Sequence, residues 1–100
     1  MEKDIEKKLV RGVREAGGIA FKFVSPGQDG VPDRLVCLPG GRIVFVELKT
    51  EVGRLSPRQK IQIGRLIALG MDCRVLYGRQ QVEDFLKEVR QWSTNHTATS

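Results

Sequence analysis

One hundred residues with 40% hydrophobic content suffice for one compact core and for no second domain beside it. Lys and Arg number 17 against 12 Asp and Glu, and the resulting charge of +5 favours a polyanionic partner and disfavours a basic one. No apolar run reaches transmembrane length, no signal-like start is present, and no basic amphipathic stretch has the bulky apolar face that interfacial binding needs, so no membrane partner is expected and the cytosol is the expected compartment.

The first helix is predicted from Ile5, Leu9, Val10, Val13 and Ala16 at helical spacing, and it stops at Gly17-Gly18. Glu6 shares the face of Leu9, Val10 and Val13, whereas Lys7, Arg11 and Arg14 can stay in water; a carboxylate on the core side calls for an explanation. Ile19 to Val24 reads as a strand, and Ser25-Pro26-Gly27-Gln28-Asp29-Gly30 as a loop that delivers the chain to Pro32-Asp33. Arg34 to Leu38 and Ile43 to Leu48 are β-branched and apolar runs joined by Pro39-Gly40-Gly41-Arg42, the composition of an antiparallel hairpin. In the third strand Val44, Val46 and Leu48 line one face and Ile43 and Phe45 the other, which predicts cover on both sides. That second face nevertheless ends in Glu47 and Lys49.

Ser56-Pro57 offers an N-cap and a first-turn proline, Gln59 stands at the capping-box position, and Ile63, Leu66 and Ile67 form a stripe running to Gly70. Cys73 to Tyr77 is a fourth strand, and Val82, Phe85, Leu86 and Val89 mark a third helix. Residues 1–92 are thus expected to be a single domain and 93–100 a disordered polar tail, with His96 a solvated bystander. Cys37 and Cys73 lack metal-ligand spacing and are expected to be reduced, buried thiols. The order αβββαβα, with a three-stranded meander and a helical crossover to the fourth strand, predicts an α/β fold with a mixed central sheet flanked by helices.

Register decides whether the charges meet. A turn centred between Gly40 and Gly41 sets Asp33 opposite Leu48 and away from Glu47 and Lys49. A three-residue loop, Pro39-Gly40-Gly41, sets Asp33 opposite Glu47 so that all three polar groups converge. A start-of-strand aspartate can also swing round the sheet edge. Neighbouring carboxylates repel unless a cation lies between them, and a hard divalent ion such as Mg²⁺ accepts one Asp, one Glu and a backbone carbonyl, naturally that of Leu48, while keeping waters. Such an ion activates a bound water and neutralises phosphate charge, and Lys49 on the same face can orient or deprotonate that water. Glu6 is a candidate for holding outer-sphere waters or a second ion, or else a helix-start carboxylate favoured by the dipole. Gln59 is a candidate for orienting Lys49 or the water, or else only a capping residue. Arg54, Arg58 and Lys60, near the start of the second helix, suit phosphate contacts as well as a solvated face.

Pro32-Asp33 followed by Glu47-Leu48-Lys49 on the next strand resembles the signature of the PD-(D/E)xK nuclease superfamily, and the element order resembles its restriction-endonuclease-like core. Gly30-Val31-Pro32-Asp33, Val46-Glu47-Leu48-Lys49 and Leu55-Ser56-Pro57-Arg58-Gln59 are similar to motifs of the VRR-NUC (virus-type replication-repair nuclease) family, and the resemblance runs up to the third helix. It implies metal binding by Asp33, Glu47 and the Leu48 carbonyl, a catalytic Lys49, and supporting roles for Glu6 and Gln59. Members of this size resemble phage and bacterial proteins that act as homodimers on four-way junctions.

The expected function is therefore a Mg²⁺- or Mn²⁺-dependent, structure-selective DNA endonuclease that hydrolyses phosphodiester bonds in branched DNA, cutting four-way junctions as a homodimer without an organic cofactor, in a bacterial or phage-infected cytosol. One strand per centre means two copies for two symmetric cuts. The alternatives are a monomeric flap or duplex-end nuclease, a non-catalytic nucleic-acid-binding module of the same fold, and a metal-dependent enzyme acting on another phosphate ester.

Overall fold

The computed structural model describes residues 2–96. Its elements are α1 (Glu2–Glu15), β1 (Ile19–Lys22), β2 (Arg34–Leu38), β3 (Arg42–Lys49), α2 (Pro57–Ala68), β4 (Cys73–Tyr77) and α3 (Gly78–His96), with a short 3₁₀ turn at Pro39–Gly41 between β2 and β3. The α/β architecture and the order αβββαβα are as the sequence predicts. The strands lie in the order β1-β2-β3-β4, antiparallel through the meander and parallel between β3 and β4, so the sheet is mixed.

α1 ends where the glycines stop it. Gly17 adopts φ 89°, and the Gly18 N–H donates back to the Val13 carbonyl at 2.9 Å, closing the last turn. Ile5, Leu9 and Val13 on α1 and Val82, Phe85, Leu86 and Val89 on α3 pack against Val36, Leu38, Val44, Val46 and Leu48 of the sheet to form the core. Both helices thus cover one face of the sheet.

The opposite face is less well covered than β3's two-sided apolar pattern predicts. Val44, Val46 and Leu48 are buried, but Ile43 on the other side is 44% exposed, and Ile67, expected in α2's buried stripe, is 55% exposed. Among α2's residues only Ile63 is buried, because a 12-residue helix spans too little of the sheet to shelter β1 and the start of β3. The first strand is also shorter than Ile19 to Val24: ladder pairing ends at Lys22, although the Phe23 N–H still donates to the Asp33 carbonyl at 2.7 Å.

The expected tail boundary moves. α3 continues through Ser93 to His96, Ser93 is buried, and the His96 ring stacks on Trp92 with centroids 3.5 Å apart. Trp92 Nε1–H donates to the Pro39 carbonyl at 2.8 Å, tying α3 to the β2–β3 turn. Local polarity suggested a tail, and the tertiary contact of Trp92 overrides it. The rest of that tail, 97–100, lies outside the described residues. No helix among the described residues is long and apolar enough to cross a membrane.

Candidate active site

The β2–β3 turn decides the register. Leu38 pairs with Arg42 across the three residues Pro39–Gly41, with Gly40 at φ 81° and Gly41 at φ 84°, values that a side chain would resist. Pairing continues to Arg34 opposite Val46, so one step further Asp33 stands opposite Glu47. Of the two registers open to the sequence, the chain adopts the one that brings the carboxylates together.

Local hydrogen bonds fix both acids. The Asp33 N–H donates to Glu47 Oε1 at 3.2 Å, and the Leu48 N–H donates to Asp33 Oδ2 at 3.4 Å. Lys49, two residues along β3 and on the same face, has its Nζ 3.4 Å from Glu47 Oε2. Glu47 is only 2% exposed. Burial, then the charge of Asp33, push its carboxyl up to about 7, against the downward pull of Lys49.

Gln59 reaches the same carboxylate. Its Oε1 accepts the Ser56 N–H at 2.8 Å while the Ser56 hydroxyl accepts the Gln59 N–H at 3.1 Å, a complete capping box at the start of α2. Its Nε2 donates to Glu47 Oε2 at 3.0 Å. Capping and site contact are therefore not alternatives: one amide uses its oxygen for the helix and its nitrogen for Glu47. The sequence-based expectation aimed this side chain at Lys49 or a water, and here it holds the acid instead.

Gly30 brings α2 that close. At φ 90° it packs against the first turn of α2, where an added Cβ would lie 2.7 Å from the backbone carbon and oxygen of Arg58. Pro32, fully buried, then hands the chain to Asp33. The Gly-Val-Pro-Asp segment thus locks the loop, α2 and the candidate acid into one body.

Glu6 lies elsewhere. Its Oε2 is 3.6 Å from Nη2 of Arg34, and its side chain is 40% exposed at the rim rather than buried on the core side. Among the described residues no three acidic, histidine or cysteine side chains form a group able to hold a metal, so Glu6 does not join Asp33 and Glu47 in one cluster. Arg54, Arg58 and Lys60 are all exposed around the start of α2. Sequence reasoning passed over Arg34, whose alternation with Val36 and Leu38 puts a cation on the α1 face of the sheet. Cys37 and Cys73 are free and only partly buried, and burial pushes the Cys73 thiol up to about 11, which makes it a poor nucleophile.

The donor set suits a hard cation. Two carboxylates held side by side, one of them out of water, leave a charge imbalance that the single ammonium of Lys49 only partly offsets. Asp33, Glu47 and the Leu48 carbonyl present oxygen only, and too few of them for a full protein cage, which is how Mg²⁺ is commonly held.

The chain is similar to known proteins in sequence and in fold. Residues 13–80 match the model of the family described as "VRR-NUC domain". The chain is 56% identical over 75 residues to the protein named "Putative nuclease p44" of Acyrthosiphon pisum secondary endosymbiont phage 1, covering 75% of this chain and 81% of that one. A solved structure titled "VRR_NUC domain" superposes with a TM-score of 0.81 at 31% identity, covering 86% of this chain and 94% of the other. With the family model spanning more than half its length, the chain belongs to the VRR-NUC nuclease domain family.

Proposed function

We propose that this protein is a Mg²⁺- or Mn²⁺-dependent, structure-selective DNA endonuclease that cuts four-way junctions as a homodimer. The observation that carries the reading is the register-enforced pairing of Asp33 with the buried Glu47, with Lys49 3.4 Å from Glu47 on the same face. Asp33, Glu47 and the Leu48 carbonyl would hold the metal, which when bound supplies Lewis acidity toward water and the scissile phosphate. Lys49 orients the attacking water and offsets charge on the pentavalent phosphorane. Gln59 keeps the Glu47 carboxylate aimed by donating to Oε2, and the Leu48 N–H does the same for Asp33. Hydrolysis joins the water oxygen to phosphorus and breaks one phosphorus–oxygen ester bond; the water's proton leaves to solvent and the departing oxygen takes one up.

Branched DNA fits a basic domain whose described residues offer shape and phosphate contacts and no separate base-reading element. Arg54, Arg58 and Lys60 are the proposed phosphate contacts on the α2 side. A second copy would supply the second cut, and the exposed apolar side chains Ile19, Phe21 and Ile43 on the α2 side of the sheet are the surface suited to it.

The test is cleavage of labelled four-way junction, flap, duplex and single strand with Mg²⁺ or Mn²⁺, beside calorimetric titration of Mn²⁺ into the free protein. Paired symmetric cuts in the junction, abolished in Lys49→Ala and Asp33→Ala, are expected. Mn²⁺ heat should be lost in Asp33→Ala and kept in Lys49→Ala. Cutting confined to flaps or ends by a monomer would replace the junction reading, and DNA binding without any cutting would replace the enzyme with a binding module.

A further inference from the structure

Arg34 follows Asp33 in the chain, and strand alternation turns it to the sheet face covered by α1. Its side chain is only 14% exposed. Nη1 donates to the Ala20 carbonyl at 3.2 Å, Nη2 stands 3.6 Å from Glu6, too long for a hydrogen bond, and Nε has no partner. A guanidinium this deep whose Nε–H is buried without a partner is a standing cost to the fold. Hydrophobic residues would serve the packing better.

Beside it a cavity of about 230 Å³ lies between β2 and α1, lined by Glu6, Lys7, Val10, Arg11, Arg14 and Arg34. Lys7, Arg11 and Arg14 recur every three or four residues, so they share one strip of α1 and repel one another. Four cations face one carboxylate. Neither helix propensity nor core packing calls for that concentration, whereas a tetrahedral dianion or phosphodiester monoanion answers both the charge and the unused arginine donors.

We propose that this cavity is a phosphate subsite that holds a backbone phosphate of the DNA strand being cut, next to the phosphate at Asp33 and Glu47. The inference rests on the nuclease reading. Arg34 and Asp33 are consecutive residues on opposite faces of β2, so a strand crossing the end of the sheet meets the acidic pair on one side and this cationic cavity on the other. Lys7, Arg11 and Arg14 draw the phosphate in, and Arg34 fixes it. Glu6 is a positioning residue here: its carboxylate holds the Arg34 fork toward the cavity until a phosphate takes its place. A contact of this kind sets where the strand lies and carries no base preference.

The test uses Arg11→Gln/Arg14→Gln, with Arg65→Gln/Lys87→Gln as a charge-matched pair on α2 and α3, outside the cavity. Junction affinity is measured by fluorescence anisotropy in EDTA across a salt series, and cleavage is measured with Mg²⁺. Each lost phosphate contact lowers the slope of log affinity against log salt by about 0.9, so the first pair, which empties one phosphate subsite, should lose about 0.9 and raise KM at least tenfold with kcat kept, and the control pair should lose less than half as much. Equal slopes for both pairs, or an unchanged KM, would overturn the subsite while leaving the nuclease intact. NMR titration with inorganic phosphate reads the cavity without DNA: movement of the Arg34 Nε–H resonance at millimolar phosphate supports the subsite even if no DNA is cut, and no movement overturns it even if cutting is robust.

Discussion

Replacing Glu47 by Gln removes a buried negative charge while keeping the shape of the side chain, and its effect on stability can be worked out with its sign. The carboxyl is raised from 4.5 to about 7 in the folded protein, chiefly by burial. A raised acid favours the proton-bound native state, so its stabilising contribution is full below the unfolded value and is lost as pH climbs through the folded one. A shift of about 2.5 units at about 1.36 kcal/mol each gives about 3 kcal/mol lost between pH 4.5 and pH 7.5. Gln at this position cannot ionise and removes that slope. The Lys49 pair is already contained in that shift; what offsets part of the gain is that the Gln amide has one oxygen where Glu47 accepts from both the Asp33 N–H and the Gln59 Nε2–H, leaving the variant about 1 to 3 kcal/mol more stable than the parent at pH 8 without metal. For a domain of this size 1 kcal/mol corresponds to about 4 to 8 °C in Tm. The assay is thermal melting of both proteins in EDTA from pH 4.5 to 8, with the difference between them taken at each pH so that other titrating groups cancel. Divalent metal should narrow and then reverse the gap: it adds about 1.4 kcal/mol to the parent at about ten times its dissociation constant and about 4.1 kcal/mol at about a thousand times, and little to the variant. A difference that stays flat from pH 4.5 to 8 would mean that Glu47 ionises as an ordinary surface acid, and the argument for a cation at this site would fall with it.

The double use of Gln59 separates in mutants: Ser56→Ala should lower stability by about 1 kcal/mol with metal affinity kept, whereas Gln59→Ala should lower stability similarly and also weaken Mn²⁺ binding, as melts and calorimetry would record. Gly30→Ala places a Cβ 2.7 Å from the Arg58 backbone at φ 90°, so a loss of about 1 to 3 kcal/mol in urea unfolding is expected, and a neutral result would show that the loop can lift off α2. Truncation after Trp92 removes buried Ser93 and the His96 stack, and should lower Tm by about 4 to 8 °C if the end of α3 contributes about 1 kcal/mol; an unchanged Tm would make those turns a passive extension.

Much of the molecule follows from local rules. Helical spacing in α1 and α3, the Gly17-Gly18 stop, the Ser56-Pro57 start and the alternation in β2 and β3 are legible because each depends on residues within a turn or two of one another. The acid pair and the lysine are legible for a different reason, since a charge at the end of an otherwise apolar strand conflicts with its setting unless chemistry requires it. Where local preference was balanced, the sequence left the outcome open. Both turn registers suited Pro39-Gly40-Gly41, and the adopted one was selected by a whole sheet packing Val36, Val44 and Val46 inward. Glu6 shared a helical face with core residues, yet only the position of β2 put Arg34 beside it and left it at the rim. The polar end of α3 carried no core signal of its own and was held by Trp92 reaching a turn 53 residues away in the chain. What the sequence by itself determined is the set of elements and the charged residues that do not belong in them. Which of those residues meet was decided by tertiary packing, because contacts between distant segments depend on the free energy of the whole core and not on the preferences of either segment alone.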